Sequence, residues 1–191
     1  MTRNKEKGDW RLQGHQSDDS EKEKVVVRVD DVEAAVRKCL AIAESAGWLR
    51  GQHSLLSIIG ETLVAGDNSY GYGDDFAFGE AHFHSVLQYT SCKSMSQELS
   101  SEAHAVVSDG RGDPLTFMTG FDVHTTYRVC FITSQGYLGL GSEYMLAGDL
   151  ICVPQGSETP YILRKEDDCY ILIGQCYISV SEVFSARARP Y

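Results

Sequence analysis

Tyr127-Arg-Val-Cys-Phe-Ile-Thr-Ser-Gln-Gly-Tyr-Leu-Gly-Leu-Gly141 is the stretch on which the fold turns. From Tyr127 to Thr133 it is β-branched and aromatic, a composition that suits a pleated, half-buried strand. Ser134-Gln-Gly136 supplies a turn, and Tyr137 to Leu140 returns, which predicts a hairpin. Downstream, Asp149-Leu-Ile-Cys-Val153 reads as a third strand, ended by Pro154 and Gly156. Tyr161-Ile-Leu-Arg164 and Cys169-Tyr-Ile-Leu-Ile173 flank the acidic turn Glu166-Asp-Asp168 and predict a second hairpin. Gln175-Cys-Tyr-Ile178 follows Gly174, where a bulge or sharp bend is expected. Short strands at this spacing predict a small, strongly curved antiparallel β-sheet or partial β-barrel, closure of which would remove exposed edges.

Upstream of Thr126 the hydrophobic period is helical. Val32, Val36, Cys39, Leu40 and Ala43 recur at helical spacing, and Asp30 with Glu33 resembles a capping box, so a helix is expected near 31–46. A second helix is expected from His53 to Val64, with Leu55, Leu56, Ile58, Ile59 and Leu63 as its buried side. Phe76 to Tyr89, Ser96 to Val107 and Leu115 to Val123 read as further helices, the last with Pro114 at its first turn. Asp67 to Asp75 and Ser108 to Pro114 are turn-rich and read as loops. Val25-Val-Val-Arg-Val29 is short and β-branched and is read as a strand joining the C-terminal sheet; Trp10-Arg-Leu12 is a weaker strand candidate. The expected fold class is α+β: an N-terminal helical region packed on the β module. Residues 1–24 are expected as a polar tail, 25–124 as one strand and helices, 125–180 as the β module and 181–191 as a second tail.

Composition narrows the function classes. The 42% hydrophobic content supports a real core. A net charge of -10 disfavours nucleic acid and anionic membranes, both of which reward Lys and Arg. The N-terminus lacks the apolar core of a secretory signal, and Cys39, Cys92, Cys130, Cys152, Cys169 and Cys176 are scattered among apolar residues. They read as reduced, small hydrophobes, and the expected location is cytoplasmic.

The order of strands and glycines is more specific than a generic β reading. Tyr127 to Gly141 resembles a segment in the C-terminal region of fungal heterokaryon incompatibility (HET) domain proteins. Ala147-Gly-Asp-Leu-Ile-Cys-Val153, Pro160-Tyr-Ile-Leu-Arg164 and Cys169-Tyr-Ile-Leu-Ile-Gly-Gln-Cys-Tyr-Ile178 are similar to the blocks that follow in that family. Val25 to Val32 and Thr62-Leu-Val-Ala-Gly66 match less closely. Two features depart from the pattern: Gln175 stands where the family usually carries Glu, and Ser179-Val-Ser181 replaces a His-Gly stretch. The motifs of the HET domain itself, the part associated with cell death, do not occur. The resemblance marks Arg128, Phe131, Gly136, Tyr137, Gly139, Gly141, Gly148, Asp149, Leu163, Arg164, Gly174, Cys176 and Tyr177 as signature positions. Their reading from chemistry alone is structural. Gly136 can adopt positive φ in the turn, and Gly139 and Gly141 leave room for close backbone approach.

Candidate chemistry is sparse. His82-Phe-His84 is the nearest thing to a metal motif, but on a helix the two imidazoles diverge by about 200°, and no third ligand stands at a usual spacing. Cys92, beside Lys93, is the most polar-flanked cysteine, and His104 or His124 could serve it as a base. Free cysteines of this kind are common, so the structural reading prevails. Gly141-Ser142 lacks a nucleophile-elbow pattern. Gly136-x-x-Gly-x-Gly141 joins strands and does not open a helix, against a phosphate loop. Arg111-Gly-Asp113 reads as a turn. No catalytic, metal or cofactor residue is therefore assigned, and the chain is expected not to be an enzyme. The expected role is an accessory or regulatory module of the HET type, binding a protein partner such as a HET-domain protein. A truncated gene relic and a Cys/His-dependent hydrolase stand as the alternatives.

Overall fold

The computed structural model describes residues 18–46, 54–70, 76–98 and 100–179, with side chains from residue 31 onward except at 68 and 96–98. Both expected tails lie largely outside these residues, as do Trp10 to Leu12. Five α-helices precede six strands: α1 (Asp18–Ser45), α2 (Leu55–Leu63), α3 (Phe76–Leu87), α4 (Ser101–Ser108) and α5 (Pro114–Thr125), then β1 (Arg128–Ile132), β2 (Leu138–Ser142), β3 (Leu150–Cys152), β4 (Tyr161–Glu166), β5 (Cys169–Gln175) and β6 (Tyr177–Ile178). The α+β class follows directly.

Two expectations are corrected at the N-terminus. Val25 to Val29 is not a strand but part of α1, which begins at Asp18 and also takes up the last part of the expected tail. Asp30 and Glu33 consequently do not cap the helix. The physical reason is cooperativity. Val32, Val36, Cys39 and Ala43 form a fully buried stripe that anchors the helix. Extending an existing helix adds one hydrogen bond per residue, and β-branched propensity is too weak to stop it. Glu33 serves a different end. It accepts hydrogen bonds from the Ser91 backbone N–H at 2.9 Å and from the Ser91 hydroxyl, and from Arg37 at 3.0 Å. Together, in that order of hydroxyl, N–H and guanidinium, these donors hold its carboxyl down to about 2.

The other helices follow local signals. Ser54 caps α2 through the Ser57 N–H, and Leu56, Ile58, Ile59 and Leu63 are buried as their spacing requires. The expected Ser96 to Val107 helix is shorter: a 3-10 helix spans Lys93–Glu98, and α4 starts after its N-cap Ser100. Asp113 caps α5 through Leu115 and Thr116, with Pro114 in the first turn, where its missing N–H costs nothing. Arg111-Gly-Asp113 is accounted for by structure. Arg111 lies over the Phe78 ring at 4.9 Å, and Asp113 is the cap.

The β module is two three-stranded antiparallel sheets, β1-β2-β6 and β3-β4-β5, which do not close into a barrel. The first hairpin is tied by Thr133 N–H to Tyr137 O and Gly136 N–H to Thr133 O, both 2.9 Å, with Gly136 at φ 86°. Gly139 answers to close approach. A Cβ there would stand 2.6 Å from the Tyr177 carbonyl oxygen and overlap the Phe131 ring, so a side chain would push β2 off β6. In the second sheet the register slips between Ile162 and Leu163, opposite Gly174 and Leu172, which is the bulge expected beside Gly174.

One main core unites the layers. Phe83 and Phe117 stack within it, and Leu138 of β2, fully buried, enters it from the first sheet together with the partly buried Cys130 of β1. The helical region thus packs on the sheet as expected, though through side chains of β1 and β2 and not through a strand from the N-terminus. A smaller core of Ile162, Cys176 and Ile178, walled by Phe131, Tyr137 and Met145, holds the two sheets together.

Candidate functional site

Eight of the signature residues gather in three places. Phe131, Tyr137 and Cys176 build the small core between the sheets. Burial pushes the Cys176 thiol up to about 11, so it behaves as a packed hydrophobe. Gly148 and Asp149 lead into β3, where Asp149 meets Arg164 of β4. The guanidinium bridges both carboxylate oxygens at 2.8 Å and also donates to the Tyr144 carbonyl at 2.8 Å, while Asp149 accepts the Leu146 N–H at 2.8 Å. The Asp149 side chain is 3% exposed. This fork-to-fork pair, two signature positions far apart in sequence, pins the loop between β2 and β3.

The third place is the seam between helices and sheets. Tyr177 reaches back to α2, where its hydroxyl donates to Glu61 Oε1 at 2.6 Å, and Ser179 donates to Oε2 at 2.6 Å. Burial, then the adjacent Glu61 carboxylate, raises the Tyr177 phenol far above its ordinary value, so it stays a donor. Glu61 and Ser179 were not legible as a pair, because nothing in their spacing links them. Beside this clamp an open cleft is lined by Ala65, His124, Arg128, Pro160, Gln175 and Tyr177. His124 bonds Asp67 at 3.1 Å, with Tyr70 edge-on to its ring.

The residues weighed for catalysis and metal binding are dispersed. Cys92 is not the polar surface thiol its neighbours suggest but is 3% exposed, because the chain at Ser91 turns in against α1; Cys169 is the exposed cysteine. His82 accepts the Asp113 N–H at Nδ1, 2.9 Å, whereas His84 lies on the other side of the helix against Gln88 at 2.6 Å and the His104 ring at 4.8 Å. Among the described residues no group of three His, Cys, Asp or Glu side chains could hold a metal ion. Also among them, no helix is long and apolar enough to cross a membrane.

Two of these groups set an acid response. Burial, then the neighbouring His104, lowers the His84 pKa below 6.5, against a smaller opposing pull from Glu80. Its folded value is depressed, so its protonation opposes folding. The stability it contributes is full above the ordinary histidine value and is lost as pH falls below it. Arg164 likewise lowers Asp149, so that contribution persists above the ordinary carboxylate value and is lost as pH falls through the folded one. The melting temperature is expected to fall in two stages on acidification, the first between about pH 7 and pH 5. A His84→Gln variant should flatten the first stage in a thermal scan, and an unchanged profile would remove His84 as its source.

The remaining feature is a surface. Leu150, Leu163 and Leu172 stand opposite one another across β3, β4 and β5 and therefore share one face. Leu150 is 47% and Leu172 59% exposed, with Tyr170 at 53% beside them. The solvent face of an antiparallel sheet ordinarily alternates to polar residues. The cross-strand row of leucines departs from that pattern; Tyr144 and Leu146, in the loop between β2 and β3, are exposed as well.

Comparison with known proteins agrees with this architecture. The chain is 37% identical over 51 residues to heterokaryon incompatibility protein 6, OR allele, of Neurospora crassa, a match spanning 25% of this chain and 8% of that much longer protein. No solved structure matches the chain. The model of the Het-6 β-barrel domain matches residues 70–181, from shortly before α3 to just beyond β6. With more than half of its length matched and its signature glycines, the Asp149–Arg164 ion pair and Tyr177 all inside that range, the chain belongs to the Het-6 β-barrel domain family.

Proposed function

We propose that this chain is a non-catalytic protein-interaction module in heterokaryon incompatibility, engaging a protein partner through the exposed face of β3-β4-β5. The observation that carries the reading is the apolar row Leu150, Leu163 and Leu172 with Tyr170 on a sheet face turned to solvent. Burying such a row contributes about 25 cal/mol per Å² of apolar area, and an aromatic beside it supplies a rigid anchor. The dispersal of Cys92, His104 and His124 onto separate partners supports the non-catalytic part. A HET-domain protein is the proposed partner, since the family resemblance sets this region apart from the death-associated domain.

The test is co-expression with a panel of fungal HET-domain proteins, scored by co-purification and by cell death. The double variant Leu150→Lys, Leu172→Lys is expected to lose capture by at least about tenfold while melting like the unaltered chain, since both side chains are largely exposed. Indifference of the unaltered chain across the whole panel would sink the reading; capture untouched by the double variant would move the interface elsewhere.

A further inference from the structure

Of the four prolines in the chain, only Pro160 follows a serine or threonine. Thr159-Pro160 lies in the loop between β3 and β4, where Pro154 to Gly156 and Glu158 are exposed and Thr159 is half-buried. The proline holds Thr159 extended and offers no N–H at the next position. Ser157 shapes the loop: its hydroxyl takes the Thr159 N–H and donates to the Thr159 carbonyl, both at 3.1 Å. The Thr159 hydroxyl itself bonds to no described residue. On the other side of the dipeptide the Pro160 carbonyl accepts the Cys176 N–H at 3.0 Å, which fixes it beside β6.

Thr159 and Pro160 line the open cleft at the seam together with His124, Arg128 and Gln175. Arg128 is half-buried, and its side chain forms no hydrogen bond or ion pair among the described residues. His124 is committed to Asp67 at 3.1 Å, and Glu158, which also lines the cleft, forms no ion pair with Arg128. The cleft encloses about 280 Å³, just below the ~300–1,000 Å³ of ordinary small-molecule sites. It suits a small anionic group carried by a lining side chain better than a free organic ligand.

We propose that Thr159 is a phosphorylation site for a proline-directed protein kinase, and that Arg128 receives the phosphate. In the transfer the Thr159 Oγ1 attacks the γ-phosphorus of ATP. The new O–P bond forms as the bond to ADP breaks; ADP leaves with the electron pair, and the hydroxyl proton passes to the kinase's base. The product carries nearly two negative charges and three acceptor oxygens. The Arg128 guanidinium can take two of those oxygens at once. No existing side-chain bond is sacrificed, because neither the hydroxyl nor the guanidinium is engaged beforehand. The phosphate is tethered within the cleft, so its pairing with Arg128 is intramolecular and fastens the β3–β4 loop to β1. The inference does not rest on the interaction surface proposed for β3-β4-β5.

The experiment treats the full chain with a proline-directed MAP kinase and magnesium ATP, maps the phosphate by mass spectrometry, and compares melting with the untreated chain. The expected result is a dominant phosphate on Thr159, absent in Thr159→Ala, and a melting temperature higher by roughly 3–6 °C. The phosphorus-31 signal should show the second ionisation below the ~6 of an unpaired phosphothreonine. An Arg128→Gln variant should be phosphorylated equally, melt no higher for it, and titrate as an unpaired phosphate. Should that variant fail to fold, the phosphorus-31 titration of the unaltered chain decides alone. A phosphate map that omits Thr159, a phosphate that titrates near ~6 in the unaltered chain, or an equal rise in melting in Arg128→Gln overturns the proposal.

Discussion

Replacing Phe83 with alanine is expected to remove about 3–5 kcal/mol of stability, the largest loss of any single truncation considered for this fold. Phe83 is fully buried on α3 and stacks on Phe117 of α5, with ring centroids 4.8 Å apart and planes 30° from parallel. The alanine forfeits both the transfer of the ring out of water and the stacking contact, and the rigid helices around it cannot collapse fully into the space. A domain of this size is stable by about 5–15 kcal/mol in total, so the variant should unfold at much lower urea. The shape of the transition carries the more useful information. Leu138 of β2 lies in the same core as Phe83, so helical circular dichroism and the near-ultraviolet signal of the tyrosine-rich β module should be lost together. Separate transitions would mean that helices and sheets fold independently, and that the seam is only a docking contact.

The second large effect is expected at Glu61. In Glu61→Ala the Tyr177 and Ser179 hydroxyls lose their shared acceptor, and Ser179 is 4% exposed, leaving little water to replace it. Unpaired buried hydroxyls of this kind cost about 2–4 kcal/mol together. Glu61→Gln keeps one oxygen acceptor and should recover part of the loss. Because the interaction crosses from α2 to β6, a double-mutant cycle with Tyr177→Phe separates it from general damage. A coupling on the order of 1–3 kcal/mol is expected in denaturant titrations; strictly additive losses would show that the 2.6 Å contact carries no net energy.

These contacts divide what was readable from what was not. The hairpin from Arg128 to Ser142 was legible because β-branched and aromatic composition and a turn glycine at positive φ act within a few residues. The close approach at Gly139 was legible as a type of constraint, but the identity of the approaching groups, Phe131 and the Tyr177 carbonyl, was not. Signature residues Asp149 and Arg164 could be marked, yet their bidentate pairing depends on β3 lying beside β4. Cys92 was misplaced as polar because flanking Ser91 and Lys93 say nothing of the α1 surface that covers it.

The sequence by itself determined the α+β order, the hairpins, Pro114 in the first turn of α5, and the family, since each rests on local period, turn chemistry or motif order. Tertiary structure decided the rest. It drew Val25 to Val29 into α1, split the strands into two unclosed sheets, left Leu150 and Leu172 exposed, and brought Glu61 to Tyr177. Each of these is fixed by contacts between residues distant along the chain, whose free energy exists only once the elements have packed.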